Sequence, residues 1–264
     1  MRPAELSLRG KLLLTGVCLF AVALVAMYLL PRDEQKGAAP LRVGAGDDVT
    51  GILLSEIAAC AEADGSGELL AGSYLFVDCC ASAAQWALQA EEIDMGFYCA
   101  QAALEMVKAN SDFEIYGPIV MNGEVIAHLS TPEEIRTLGI PRKRQFLQDI
   151  AESAYPQIEE CRELNRSYML FTLESGDVDG VVLDVGDAHR AGDAVQFAAI
   201  TQAPYISYCM VVRRDIEETE AFARFLSYYE QAADRLNTPQ RLVETMGMDE
   251  AFWETSGTEF LYLP

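Results

Sequence analysis

The chain has 264 residues, 51% of them hydrophobic, which is enough for one large domain or two lobes with true cores. Its formal net charge is −22. A field of that sign repels nucleic-acid phosphates and anionic lipid headgroups, which argues against nucleic-acid binding and favours cationic or neutral ligands.

Near the N-terminus, Leu12–Leu30 is the one run long and apolar enough to cross a bilayer. It follows Arg2, Arg9 and Lys11 and stops at Pro31-Arg32-Asp33-Glu34. This is the pattern of an uncleaved N-terminal transmembrane helix with a cytoplasmic amino terminus. Two rival readings are a cleaved signal peptide, which lacks a clean small-residue site here, and a lipid anchor at Cys18, which follows Val17 rather than a small residue. All three export the remainder. Gln35–Pro40 reads as a polar linker, so residues 1–40 are anchor and linker.

Beyond the linker, Leu41–Gly46 reads as a strand ending in Gly-Ala-Gly-Asp-Asp, with Thr50 as a cap for a helix over Gly51–Ala63. Tyr74–Asp78 predicts a strand, Ala83–Glu91 a helix, Asp94–Tyr98 a strand, Ala100–Ala109 a helix and Glu114–Val120 a strand. Short connections between alternating elements predict a parallel α/β sheet. A second α/β unit follows. Pro132 starts a short helix, an extended segment ends at Pro141, and helices are predicted over Arg142–Ser153 and Ser167–Gly176. Val178–Asp184 is a buried strand, and Ala198–Ile200 and Ser207–Arg213 are further strands. The amphipathic stretch Thr219–Asn237, the segment Pro239–Met246 and an aromatic tail close the chain.

Cysteines stand at the carboxyl ends of two of these strands: Cys79 and Cys80 after the first, Cys99 after the second. Ligands of open α/β sheets sit beyond such ends. Three thiols aimed at one crevice suit a thiophilic metal, because thiolates select soft or borderline ions; the alternative is that they are small buried hydrophobes. For Cys60, Cys161 and Cys209 the core reading is favoured. The spacing of the cysteines does not form a dense disulfide framework, and adjacent Cys79 and Cys80 could join only in a strained ring.

Four segments together resemble one family. LRVGAGDD with its helix, ALQAEEIDMGFYCAQAALEM, FTLESGDVDGVVLDVGDA and APYISYCMVVRRD occur in the order found in ABC-importer solute-binding proteins of the nitrate, sulfonate and thiamine-pyrimidine branch. The resemblance covers roughly residues 41–246. It implies an α/β two-lobe periplasmic-binding-protein-like (type II) fold: lobe one over 41–124 plus 203–264, and lobe two over 125–202. The chain would cross between them near 122–128 and 200–206. It also implies extracytoplasmic capture of a small ligand between the lobes, an ABC permease and its ATPase as partners, no cofactor and no catalysis. The thiols resemble those of a rarer branch linked to selenocysteine-assisted organometal handling, which makes Cys79, Cys80 and Cys99 the expected metal ligands.

Position in that fold adds Asp47, Asp48 and Thr50 in the first strand-to-helix loop, Asn122 at the first crossing and Asp184 beyond a second-lobe strand. Tyr98 and Tyr205 could stack on an apolar or cationic ligand. Each of these is also at home as a loop, surface or core residue. Arg142-Lys143-Arg144, the basic cluster, either binds an anion at a helix start or forms a solvated or permease-facing patch. Catalysis finds little support, since only His128 and His189 are present and no phosphate loop, nucleophile elbow or CxxC pair occurs. Two alternatives remain: a cysteine-dependent enzyme on the same fold, similar to thiamine-pyrimidine synthases, and a membrane-tethered sensor.

Overall fold

The protein is described by a computed structural model over residues 40–70, 74–76, 88 and 92–264, which belong to one unit, Gly37–Pro264. Strand β1 (Val43–Gly46) is buried along its whole length and turns through two aspartates into helix α1 (Val49–Ala63). Strand β2 (Tyr74–Phe76) follows, then β3 (Met95–Cys99), α2 (Ala100–Ala109) and β4 (Phe113–Met121). The chain next forms β5 (Glu124–His128), β6 (Thr137–Pro141), α3 (Gln145–Ala154), β7 (Glu160–Leu164), α4 (Met169–Glu174), β8 (Gly180–Asp184) and β9 (Gln196–Ala199). It returns as β10 (Ile206–Arg213), α5 (Glu220–Leu236), α6 (Pro239–Met246), α7 (Glu250–Ser256) and β11 (Glu259–Phe260).

These strands make two sheets. The first has the order β11-β4-β10-β3-β1-β2 and the second β7-β6-β8-β5-β9. Strands β1, β2 and β3 are mutually parallel, but β10 lies antiparallel between β3 and β4, so the first sheet is mixed rather than wholly parallel. The reason is topological. β10 enters from the second sheet at the edge where β1 and β3 end, which puts its first residues beside their carboxyl ends.

Both passages between the sheets meet at Asn122. Its φ of 53° is the left-handed conformation that asparagine tolerates better than most residues. Its amide accepts from Tyr205 N (3.1 Å) and donates to Gly257 O (3.0 Å), while its backbone N donates to Tyr205 O (3.1 Å). Thr258 Oγ1 donates to its carbonyl (2.8 Å). One side chain thus ties the outgoing strand, the returning strand and the C-terminal segment together.

Local expectations fail where side chains take over backbone duties. Asp48, not Thr50, caps α1: its Oδ1 accepts from Thr50 N (3.0 Å), and Thr50 Oγ1 donates to the same atom. Helix α3 begins at Gln145 instead of Arg142, because Lys143 turns the chain with φ 61°. The edge strand β7 escapes hydrophobic patterning because most of it is exposed. The aromatic tail folds as α7 and β11, burying Phe252, Trp253 and Phe260. Leu12–Leu30 lies outside the described residues, and among the described residues no helix is long and apolar enough to cross a membrane. Most of Ala83–Glu91 also lies outside them; Leu88 is helical and buried.

Helices α1, α5 and α6 carry a buried acid between two arginines. Glu56 on α1 is 4% exposed and pairs with Arg241 (2.6 Å) and Arg235 (3.3 Å), whose side chains are 38% and 46% exposed. Only the carboxylate is fully desolvated, so the two possible truncations are not equivalent. Replacing both arginines by alanine strands a buried charge and should cost about 3 kcal/mol, whereas Glu56→Gln frees two cations to return to water and should cost about 1 kcal/mol. Urea denaturation midpoints at neutral pH would check that ordering.

Candidate functional site

A cavity of about 120 Å³ lies between the two sheets. From the first sheet come Asp48 and Tyr208, and from the second Glu124, Arg142, Arg144, Arg166, Asp184 and an apolar wall including Leu164, Val182 and Leu183.

Asp48 reaches the cavity because the β1–α1 turn is unusually tight. Its carboxylate folds back over Gly46, where any Cβ would collide with it. Thr50 then clamps one oxygen, and Gly46 N donates to Thr50 Oγ1 (3.0 Å). The other oxygen, Oδ2, accepts from Tyr208 Oη at 3.3 Å. Asp184 ends β8 and approaches from the opposite side. Its Oδ1 accepts from Gly186 N (2.8 Å) and, across the sheets, from Val49 N (2.9 Å); its Oδ2 accepts from Tyr208 Oη (2.8 Å). Gly186 permits this approach, since a Cβ there would stand 3.1 Å from Val49 N and 3.3 Å from the Asp48 carbonyl carbon.

Two carboxylates from different sheets therefore share one tyrosine hydroxyl. Neither has a cationic nitrogen within ion-pair distance among the described residues. Burial, with the Asp48 charge beside it, pushes Asp184 up to about 7. The nearby cations are engaged elsewhere. Arg166 donates through Nε to Asp187 (2.6 Å) and pairs through Nη1 with Asp47, while Nη2 donates to Asp47 O (2.9 Å). Burial opposes the charge on Arg166, but Asp184, Asp187 and Asp48 more than compensate and raise its pKa. Arg144 is buried, pairs with Glu124, and lies over the rings of Tyr208 (5.1 Å) and Phe146 (5.2 Å). Glu124 in turn accepts from Ser207 Oγ (2.6 Å) and Tyr205 Oη (3.1 Å).

Of the residues singled out from the sequence, Asp48 and Asp184 line the cavity. Thr50 holds Asp48, Asp47 holds Arg166, Asn122 braces the crossings, and Tyr205 bonds Glu124 instead of stacking in the cavity. Tyr98 is fully buried in β3, its ring over Gly96, and is not among the cavity residues. Cys99 is 1% exposed and pairs in register with Tyr208. Cys79 and Cys80 lie outside the described residues. Cys60, Cys99, Cys161 and Cys209 are free thiols; burial, and secondarily Cys99, pushes Cys209 up to about 11. Among the described residues no group of three His, Cys, Asp or Glu side chains is arranged to hold a metal.

Arg166, Glu124 and Tyr208 were not anticipated. Tyr208 lies inside the buried strand β10 and reads there as a core residue, and Arg166 meets its partner 119 residues away. Arg142 and Arg144 of the basic cluster line the cavity, on the side of its cleft reading.

No protein-family description and no curated protein matches the chain. Solved structures do. The ligand-binding component of an ABC-type import system from Staphylococcus aureus, with zinc bound, aligns with TM-score 0.64 at 13% identity, over 84% of this chain and 85% of that one. An ABC transporter protein from Parabacteroides distasonis gives 0.63 at 11%, over 84% and 86%. The alkanesulfonate-binding protein SsuA from Xanthomonas axonopodis, bound to MOPS, gives 0.55 at 15%, over 86% and 84%. The chain thus has the periplasmic-binding-protein fold.

The carboxylate pair carries a pH signature. A carboxyl group whose folded pKa is raised favours the folded state fully below its unfolded pKa, near 4, and that advantage is lost as pH rises through about 7. The melting temperature should therefore climb as pH falls from about 8 to about 5. Asp184→Asn should stabilise the protein at the alkaline end and flatten this slope. Glu217, raised to about 7 by burial and Glu114, titrates in the same window outside the cavity. The difference between wild type and variant in calorimetry is what isolates Asp184.

Proposed function

We infer that this chain is the extracytoplasmic solute-binding component of an ABC importer and captures a small ligand between two lobes. The observation that best supports this reading is the meeting of Asp48 and Asp184 at Tyr208, with one carboxylate supplied by each sheet. Such a pair forms only when the two halves are together, and its repulsion is relieved when a positively charged group enters the cavity. On this reading lobe one is 41–124 plus 203–264 and lobe two is 125–202, with Asn122-Gly123 and residues 200–205 as the hinge. A permease and its ATPase receive the closed form. Leu12–Leu30 tethers the domain to the membrane, and the chain performs no catalysis on its ligand. The fold and the import proteins among its structural neighbours support the same role.

A second reading concerns a thiophilic metal or organometal held by Cys79, Cys80 and Cys99. Two register facts favour it. Phe76 pairs with Gly46 at the end of β1, and Cys99 pairs with Tyr208 at the end of β3. Thiol counting on anaerobic protein with and without mercury(II) or zinc(II) tests it. Retention of full metal stoichiometry by the Cys79→Ser, Cys80→Ser double variant would remove it.

Solute capture itself predicts that a ligand co-purifies, or that one added at a hundredfold excess over its Kd stabilises the protein by about 2.7 kcal/mol. Native mass spectrometry and thermal melting read both, and conversion of the bound compound by purified protein would instead mark an enzyme. Gly186→Val should hold the Asp184 turn off Val49, lower ligand affinity by at least about tenfold and enlarge the radius of gyration in solution scattering. An unchanged affinity would count against closure between the sheets.

A further inference from the structure

Among the described residues, every charge on the cavity wall has an ion-pair partner except at two places. Arg144 is neutralised by Glu124, and Arg166 by Asp47 and Asp187. What remains is the Asp48–Asp184 pair at Tyr208, together with Arg142, whose guanidinium has no ion-pair or hydrogen-bond partner among the described residues. Arg142 is an exposed residue at the cavity's edge, held there by its backbone N donating to Leu164 O (3.0 Å). The cavity thus presents unsatisfied negative charge within and unsatisfied positive charge at its edge. Between them lies an apolar wall of Val182, Leu183 and Leu164.

We propose that the cavity's ligand is a small zwitterion, an α-amino acid or short betaine, with its ammonium between Asp48 and Asp184 and its carboxylate toward Arg142. This rests on the solute-binding reading and narrows it to a substrate class. Three arguments converge on it. A lone cation would leave Arg142 unmatched and enter a wall that already carries three guanidiniums. A lone anion would have to approach two buried carboxylates inside a chain of net charge −22. A zwitterion satisfies both ends at no net charge. Size sets the last limit: a cavity of roughly 150 Å³ holds benzene, so one of about 120 Å³ takes on the order of six heavy atoms. Peptides and sugars are too large for it.

The ammonium would take over the role of a proton on Asp184, whose pKa burial and the Asp48 charge push up to about 7. It places positive charge between the two carboxylates, and Tyr208 Oη remains a donor to them. Zwitterion binding near neutral pH therefore expels a proton.

Titration calorimetry of the exported domain, in two buffers of different ionisation enthalpy, separates the outcomes. The probes are L-alanine, glycine betaine, ethylamine and propionate. The proposal expects alanine or betaine to bind at least about tenfold more tightly than ethylamine or propionate, with proton release on binding. The alanine arm is distinguished from the betaine arm by which one is tighter. Arg142→Ala should reduce zwitterion affinity about fivefold, the scale of one solvent-screened charge pair, and leave ethylamine unaffected. Arg142→Lys should recover part of the loss, and Arg142→Glu should shift preference toward 1,2-diaminoethane. Arg142 is exposed and its guanidinium has no partner among the described residues, so these variants should keep the wild-type urea midpoint. Equal binding of ethylamine and alanine, or an Arg142→Ala variant with unchanged discrimination, overturns the zwitterion assignment while leaving solute capture intact. No binding by any probe also overturns it, and solute capture is then judged on co-purified ligand alone.

Discussion

Two carboxylates that would repel in isolation are held on one hydroxyl, and the arrangement of the second sheet against the first follows from that contact. Asp184 Oδ1 bonds the first backbone N–H of α1 while its Oδ2 meets Tyr208. Asp48 supplies the cap of the same helix. The N-terminal end of α1 thus faces two acids from two sheets, the polarity that the helix dipole favours. Burial, with the Asp48 charge beside it, raises the cost of ionising Asp184, so positive charge between the two acids relieves the contact.

Around this centre the arginines serve as counter-ions rather than as free ligands. Arg166 reaches across to Asp47 and back to Asp187, so the second sheet grips the β1–α1 turn at a point next to Asp48. Arg144 neutralises Glu124 and covers the Tyr208 ring, which fixes where the hydroxyl points. Glu124 is bonded to Ser207 and Tyr205 just beyond the crossing braced by Asn122. The hydrogen bonds that shape the cavity are therefore continuous with those at the strand crossings, and opening the sheets would disturb both together.

Much of the α/β alternation was legible in sequence because buried strands such as GVVLD and amphipathic helices such as Glu220–Leu236 carry strong local patterns. Asp48 and Asp184 were legible for a related reason: each follows a buried strand at the point where the chain must turn. Arg166, Tyr208 and Glu124 were not, because their roles depend on partners in other elements far along the chain. The antiparallel insertion of β10 was hidden for the same reason. Periodicity reports which residues are buried, but not which strand lies beside which. The edge strand β7 is half-solvated and lacks even that signal.

The global charge and the local site point in different directions, and the local geometry decides. A chain of net charge −22 concentrates cations near its surface, yet the cavity wall carries as many guanidiniums as carboxylates. Two of those guanidiniums are counter-ions of Glu124, Asp47 and Asp187, and Arg142 stands exposed at the edge, so both signs meet within one cavity. On the solute-capture reading, long-range attraction would govern which solutes approach, and their number and spacing of charges which ones stay. Arg144 and Arg166 make their direct contacts to Glu124, Asp47 and Asp187, and Arg166 acts on Asp184 and Asp48 through space.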